Sequence, residues 1–332
     1  MKSSHTLAIV GCALALSACG GGGGGTAAPS TPAVTLSTIT STNAPKAAEN
    51  AFSASDLIGR ESSWLTGAMT GVSATPANVG VVSPVLELLK GAYGTDGGNV
   101  LTGVTSSFNC ADGGTISSDA TAANPNMMSN GDQFTITANN CIAKGTTENG
   151  TFSVKVSGVS GNVLNSGIGT ATFDVLFNNF SVASGGGNTI VSGDMKISVN
   201  ATSSTDSLLT VSGASLLESV QRSGATVASR ALTSYSVSLN VHGTALTTAA
   251  NLSISGKTDG LGQYTYTVKN LQPFVSTATD LPTSGALVVT GADSSVIVNA
   301  IANGVRLDYS DNTSGVVTKS NSVSWSDFFS NY

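Results

Sequence analysis

Nucleophilic catalysis needs a base within reach of a hydroxyl or thiol, and His242 is the one imidazole in the strand-rich part of this chain. It lies two residues from Asn240 on the polar side of an alternating segment, and no Gly-x-Ser-x-Gly elbow occurs in the sequence. A solvated strand histidine is the expected state, and a secreted hydrolase is the weakest functional reading. Paired carboxylates for glycoside hydrolysis could be drawn from Asp174, Asp194, Glu218 and Asp259, but a chain with 19 acidic residues always offers such pairs. Asp308, Ser310 and Asn312 alternate oxygen-bearing side chains, loosely in the manner of a calcium loop. Its sixth position is Thr313 rather than Gly and its twelfth is Lys319 rather than Glu, so a plain turn explains the stretch better. Gly20 to Gly25 follow no strand and precede no Lys, which removes a phosphate-cradling loop. No catalytic residue and no cofactor is assigned.

The cysteines carry more. Cys19 closes an N-terminal segment that holds Lys2 and an apolar run from Leu7 to Leu16, too short to span a bilayer stably. The stretch Leu16-Ser17-Ala18-Cys19 resembles the lipobox of bacterial lipoproteins, in which the cysteine thiol is diacylated and becomes the first residue. The resemblance covers about the first 25 residues. It implies an acylated Cys19, a lipid anchor in the membrane and loss of Cys12 with the leader. Gly20 after the lipidated cysteine implies delivery to the outer membrane of a Gram-negative bacterium, facing the periplasm or the surface. Cys110 and Cys141 then remain, in a compartment where disulfides persist. A pair of buried free thiols is the alternative; a metal site lacks both a CxxC spacing and a second histidine. A Cys110–Cys141 bridge would close a loop of about 30 residues and stabilise the fold by about 3–4 kcal/mol.

Composition sets limits on partners. The net charge is −6 and basic residues are scattered singly, so no electrostatic footprint for nucleic acid exists. Charged residues make up only 10% of the chain, so the exposed surface must be built from Ser, Thr, Asn and Gly.

These residues need elements to hold them, and the chain reads as four zones. Residues 1–18 form the signal, and residues 19–46 form a flexible Gly, Pro, Thr and Ala tether. Residues 47–95 form a short helical segment. Ala47 to Met69 carries Phe52, Leu57, Ile58, Trp64 and Leu65 at helical spacing, and a second helix opens at Pro84 and ends at Gly91. Residues 96–332 form an antiparallel β domain. Phe134, Ile136 and Ala138 alternate with threonines, as do Phe173, Val175 and Phe177 with polar residues, and Tyr235, Val237, Leu239 and Val241 with Ser and Asn. Similar runs continue to Val305, Leu307 and Tyr309, giving ten to thirteen strands. Dipeptides such as Asn149-Gly150 and Asp259-Gly260 supply the left-handed residues of hairpin turns. The expected fold is mainly β: a large antiparallel meander sheet, sandwich or open half-barrel, capped by the helices.

The segment Phe108-Asn-Cys110-Ala-Asp-Gly-Gly114, with Gly131-Asp132, Asn140-Cys141 and Asn149-Gly150-Thr151, resembles a pattern in uncharacterised exported β-rich lipoproteins of proteobacteria, over roughly residues 100–155. That resemblance implies a bridge and a β fold, and no activity. The leading expectation is a non-enzymatic outer-membrane lipoprotein, a structural or binding module for an apolar ligand or an envelope protein. The alternative is an integral outer-membrane β-barrel, for which an aromatic content of 5% leaves too little to build two interfacial girdles.

Overall fold

A computed structural model describes residues 35–59, 81–93, 103, 105–124, 127–143, 145–164, 167–277, 281–312 and 315–329. The expected signal, Cys19, the glycine run, and Trp64 and Leu65 of the first expected helix lie outside these residues. Fourteen strands follow one another: β1 (Thr105–Asn109), β2 (Gly113–Thr121), β3 (Gln133–Ala143), β4 (Thr146–Asn162), β5 (Ile168–Ser184), β6 (Gly187–Ala201) and β7 (Asp206–Arg222). They continue as β8 (Ala225–His242), β9 (Ala245–Thr258), β10 (Gly262–Thr277), β11 (Ser284–Gly291), β12 (Ser294–Ile301), β13 (Gly304–Ser310) and β14 (Lys319–Ser324). Each pairs antiparallel with the next, in one sheet of linear order from β1 to β14 that does not close on itself. The antiparallel meander is therefore as expected, with one more strand than the upper count.

The alternation does its expected work. Along β8, Ala228, Leu232, Tyr235, Val237, Leu239 and Val241 are buried, while Ser229, Ser236 and Asn240 are exposed. One face of the sheet is apolar and covered; the other carries hydroxyls and amides to water.

The parity of that alternation changes inside several strands. In β5 the buried set is Phe173, Val175 and Phe177, then Phe180 and Val182; in β8 it steps from Leu232 to Tyr235. A chain of period two cannot skip a residue and keep the same face inward unless an extra residue is looped out. Register breaks lie at these points: Ala138/Cys141 in β3, Phe177/Phe180 in β5 and Thr233/Ser236 where β8 meets β9. Asn140, Asn179 and Ser234, at φ of 48°, 50° and 48°, are the left-handed residues of these bulges. On β4 the matching position is Gly150, whose absent Cβ would lie 2.3 Å from the Asn179 carbonyl oxygen. With further breaks in β6 and β10, the bulges line up across the sheet from β3 to β10 as a transverse crease. Asn149-Gly150 thus lies inside β4 and is not a hairpin turn, whereas Asp259-Gly260 is a turn as expected.

The crease satisfies its own backbone. The Asn149 Oδ1 accepts from Asn140 N at 2.8 Å, and Ser192 Oγ from Asn179 N at 3.0 Å. Asp194 accepts from Ala214 N and Ser215 N at 2.7 and 2.8 Å, and Asn251 Oδ1 accepts from Asn270 N at 3.1 Å. Each of these side chains takes a donor that the sheet ladder has lost at the bulge.

Helix α1 (Ala44–Gly59) starts where Thr40 and Asn43 exchange side-chain to backbone hydrogen bonds, a reciprocal N-terminal cap. Nine successive residues, Ala47 to Ser55, are buried, so the helix is enclosed on every side. It packs against β8, β9, β11, β12 and β13. Helix α2 (Val82–Tyr93) runs through Gly91, two residues beyond its expected end. The described residues finish in α3 (Trp325–Phe329), whose Trp325 and Phe328 rings lie 5.3 and 5.8 Å from the ring of Phe52.

The expected tether stops short of residue 46. Ser37 N donates to Thr265 O at 2.9 Å, Thr265 N donates to Ser37 Oγ at 3.0 Å, and Ala292 N donates to Ser37 O at 2.9 Å. The chain is thereby pinned beside β10, in the notch left where β11 ends. Gly291 permits the approach, since a Cβ there would stand 2.3 Å from Ser37 O. From Thr35 onward the segment belongs to the fold.

Candidate functional site

Cys110 and Cys141 are joined in a disulfide that ties the end of β1 to β3 across 31 residues of sequence, with the Cα atoms 5.4 Å apart. Glu148 on β4 sits directly across from Cys141, buried, with Thr146 Oγ1 at 3.5 Å from its carboxylate. Burial pushes its pKa up to about 7, with Glu87 adding to the rise and the Thr146 hydroxyl opposing it. A second buried carboxylate, Asp132 just ahead of β3 and at the opposite end of that strand, is fully engaged: it accepts from Tyr93 Oη, Ala123 N and Ser129 N, each at 2.8 Å. These bonds fasten α2 to the connection between β2 and β3, and burial with the Asp132 contact holds the Tyr93 hydroxyl protonated.

A denser polar group lies where α1 meets the sheet. Arg230 on β8 grips Glu218 on β7 in a two-pronged pair, Nε to Oε2 at 2.7 Å and Nη2 to Oε1 at 2.9 Å. Both side chains are almost wholly buried. Arg230 Nη1 also donates to the Asn50 carbonyl at 3.3 Å, so the sheet reads the helix backbone directly. Glu49, the residue before, is fully buried; Lys46 Nζ is 3.8 Å from its carboxylate, but neither oxygen accepts a hydrogen bond among the described residues. Desolvation raises its pKa to about 7 against the opposing pull of Lys46, Arg230 and Arg222. A carboxylate and a guanidinium inside a core are costly unless paired, and here Glu218 takes the guanidinium while Glu49 is left over.

The residues singled out by sequence fall in separate places. His242 ends β8 and its Nδ1 meets Asp206 Oδ1 at 2.5 Å; the imidazole is 86% exposed, and the Asp206 carboxylate is also bonded to Ser203 and Thr205. Those hydroxyl contacts, with the imidazole, hold the Asp206 pKa below its ordinary value. The imidazole and Asp206 thus join the end of β8 to the start of β7 as a strand-end clasp. Asp308 uses its carboxylate on Arg306, Asn299 and Ser320, while Ser310 Oγ donates to the Asn312 carbonyl, so the three oxygen-bearing side chains do not converge. No cluster of three His, Cys, Asp or Glu side chains suited to a metal occurs among the described residues.

Of the four scattered acids, Asp174 and Asp194 share a shallow outer groove of about 420 Å³. Asp174 pairs with Lys196 at 3.1 Å, and Asp194 spends both oxygens on backbone N–H groups of the crease. Glu218 holds Arg230, and Asp259 sits in a turn.

No family model matches the chain, and neither a curated protein nor a solved structure matches it.

Proposed function

We propose that this chain is a lipid-anchored, non-enzymatic module of the Gram-negative outer membrane that works as a structural or partner-binding β platform. One observation carries the reading: a single open sheet is filled on its apolar face by its own helix and aromatic side chains, and turns a broad hydroxyl and amide face to water. The lipobox supplies the address and Cys19 the attachment point. A membrane-spanning barrel needs a closed sheet and an apolar outward face. The open order from β1 to β14 and the Ser, Thr and Asn residues outside favour the anchored module over that alternative. An apolar-ligand carrier would need room against the sheet, where α1 and Phe52 are seated.

Replacing Cys19 with Ala tests the anchor. The variant is expected to incorporate no palmitate and to leave the membrane in carbonate extraction, while the natural chain stays. Continued retention of the variant would overturn the lipid anchor and revive the integral barrel. Mass spectrometry of lipid extracts from the purified chain separates platform from carrier; a stoichiometric copurifying lipid would overturn the filled-platform reading.

A further inference from the structure

Helix α1 is an unusual occupant for the inside of a sheet. Its buried residues are mostly small or polar: Ala44, Ala47, Ala48, Ala51 and Ala54 beside Glu49, Asn50, Ser53 and Ser55, with Phe52 the one large apolar side chain from Ala44 to Ser55. Alanine buries little area, so the hydrophobic hold per residue is weak. Ser53 Oγ and both Glu49 oxygens lack hydrogen-bond partners among the described residues. Between Ala44 and Ser55, Phe52, set against the rings of Phe274, Trp325 and Phe328, supplies the large apolar contact.

The charges around Glu49 do not offset its ionisation. On its own helix, Lys46 is half-buried and 3.8 Å away. Arg230 from β8 is already matched by Glu218 from β7, and Arg222 of β7 adds the smallest of the three cationic pulls on Glu49. Tyr264 of β10 stands by Asn50. Lys257 of β9 is exposed, β11 and β12 contain no ionisable residue, Arg306 and Asp308 of β13 pair with each other, and Asp327 of α3 bonds Ser324. Glu49 as a neutral acid fits this setting; as an anion it does not.

We infer that α1 is a pH-responsive plug, seated in the sheet when Glu49 carries its proton and loosened when that carboxylate ionises. Loosening uncovers the apolar faces of β8, β9 and β12 that the helix occupies. The sign follows from a buried acid whose pKa, about 7, is raised by desolvation from its ordinary 4.5. The docked state binds the proton more tightly, so docking is strongest at acid pH and weakens as pH rises from about 4.5 through 7.

Hydrogen exchange of the full-length chain at pH 5.5 and 8.5, corrected to the unstructured-peptide rate at each pH, reads this out. Protection of the amides from 47 to 55 is expected to fall more than about tenfold at the higher pH, because each unit of pKa difference is worth a factor of ten. Glu49→Gln should abolish the fall, and Glu148→Gln should leave it intact. Equal α1 protection at both pH values in the natural chain would overturn the inference, whether or not Glu49→Gln folds. Loss of the pH effect in Glu148→Gln would also overturn it, by assigning the switch to the other carboxylate.

Discussion

At the scale of single residues, the buried ion pair and the disulfide have opposite dependence on their surroundings. Arg230 and Glu218 satisfy each other, so removing one strands the other in the core. Glu218→Gln is expected to destabilise the fold by about 3–5 kcal/mol in urea unfolding, while a joint replacement of both by apolar residues should cost much less. Cys110→Ser should cost about 3–4 kcal/mol through the unfolded state, and reduction of the natural chain should reproduce the loss. Glu148 adds a pH term. Its pKa is about 7 in the fold against 4.5 when unperturbed, so its share of stability is present at acid pH and is lost as pH climbs through that window. Glu148→Gln should flatten the stability profile between pH 5 and 8 by roughly 3 kcal/mol, measured as urea midpoints across pH.

At the scale of elements, the crease is where local rules and the whole sheet meet. Strands of 14 to 18 residues, such as β8 and β9, twist strongly, and a row of bulges lets them bend together without turning their apolar residues outward. Asp194→Ala leaves two backbone donors without acceptors and is expected to cost about 1–3 kcal/mol. Gly150→Ala should cost more, since φ is 99° and the new methyl would run into the Asn179 carbonyl. Urea midpoints of the two variants check both. The strands themselves were legible, because period-two alternation is a direct record of a half-buried face. Their lengths were not, because Asn-Gly has the same chemistry in a bulge as in a hairpin turn. The missing signal was the step in parity from Phe177 to Phe180 and from Leu232 to Tyr235, which marks a continuing strand. The ionic group under α1 was hidden for a different reason. Glu49, Asn50 and Ser53 look like a solvent face in a helical pattern, and only the enclosing sheet makes them interior. The sparse charge of Ala47 to Ser55 was the one available hint.

At the scale of the whole molecule, an open sheet must protect its two ends. The edge strands β1 and β14 are short, five and six residues, and Lys319 begins the latter, which discourages pairing with another chain. Deleting Lys319's charge by Lys319→Val is expected to increase self-association in sedimentation experiments at high concentration. The anchor proposed at Cys19 would be read by processing enzymes and not by packing, so the folded part is not where it is tested.

The docking of Ser37 has a mechanical side. Among the described residues, tension from the N-terminal side meets three hydrogen bonds shared with Thr265 and Ala292 before it meets α1. Those bonds act as a strain relief, holding Thr35 to Ile39 against the sheet so that a tug is spread into β10 and the β11–β12 turn and does not peel α1 from its seat. In single-molecule pulling from the N-terminus, Ser37→Pro should remove the first rupture event and lower the force at which α1 comes out.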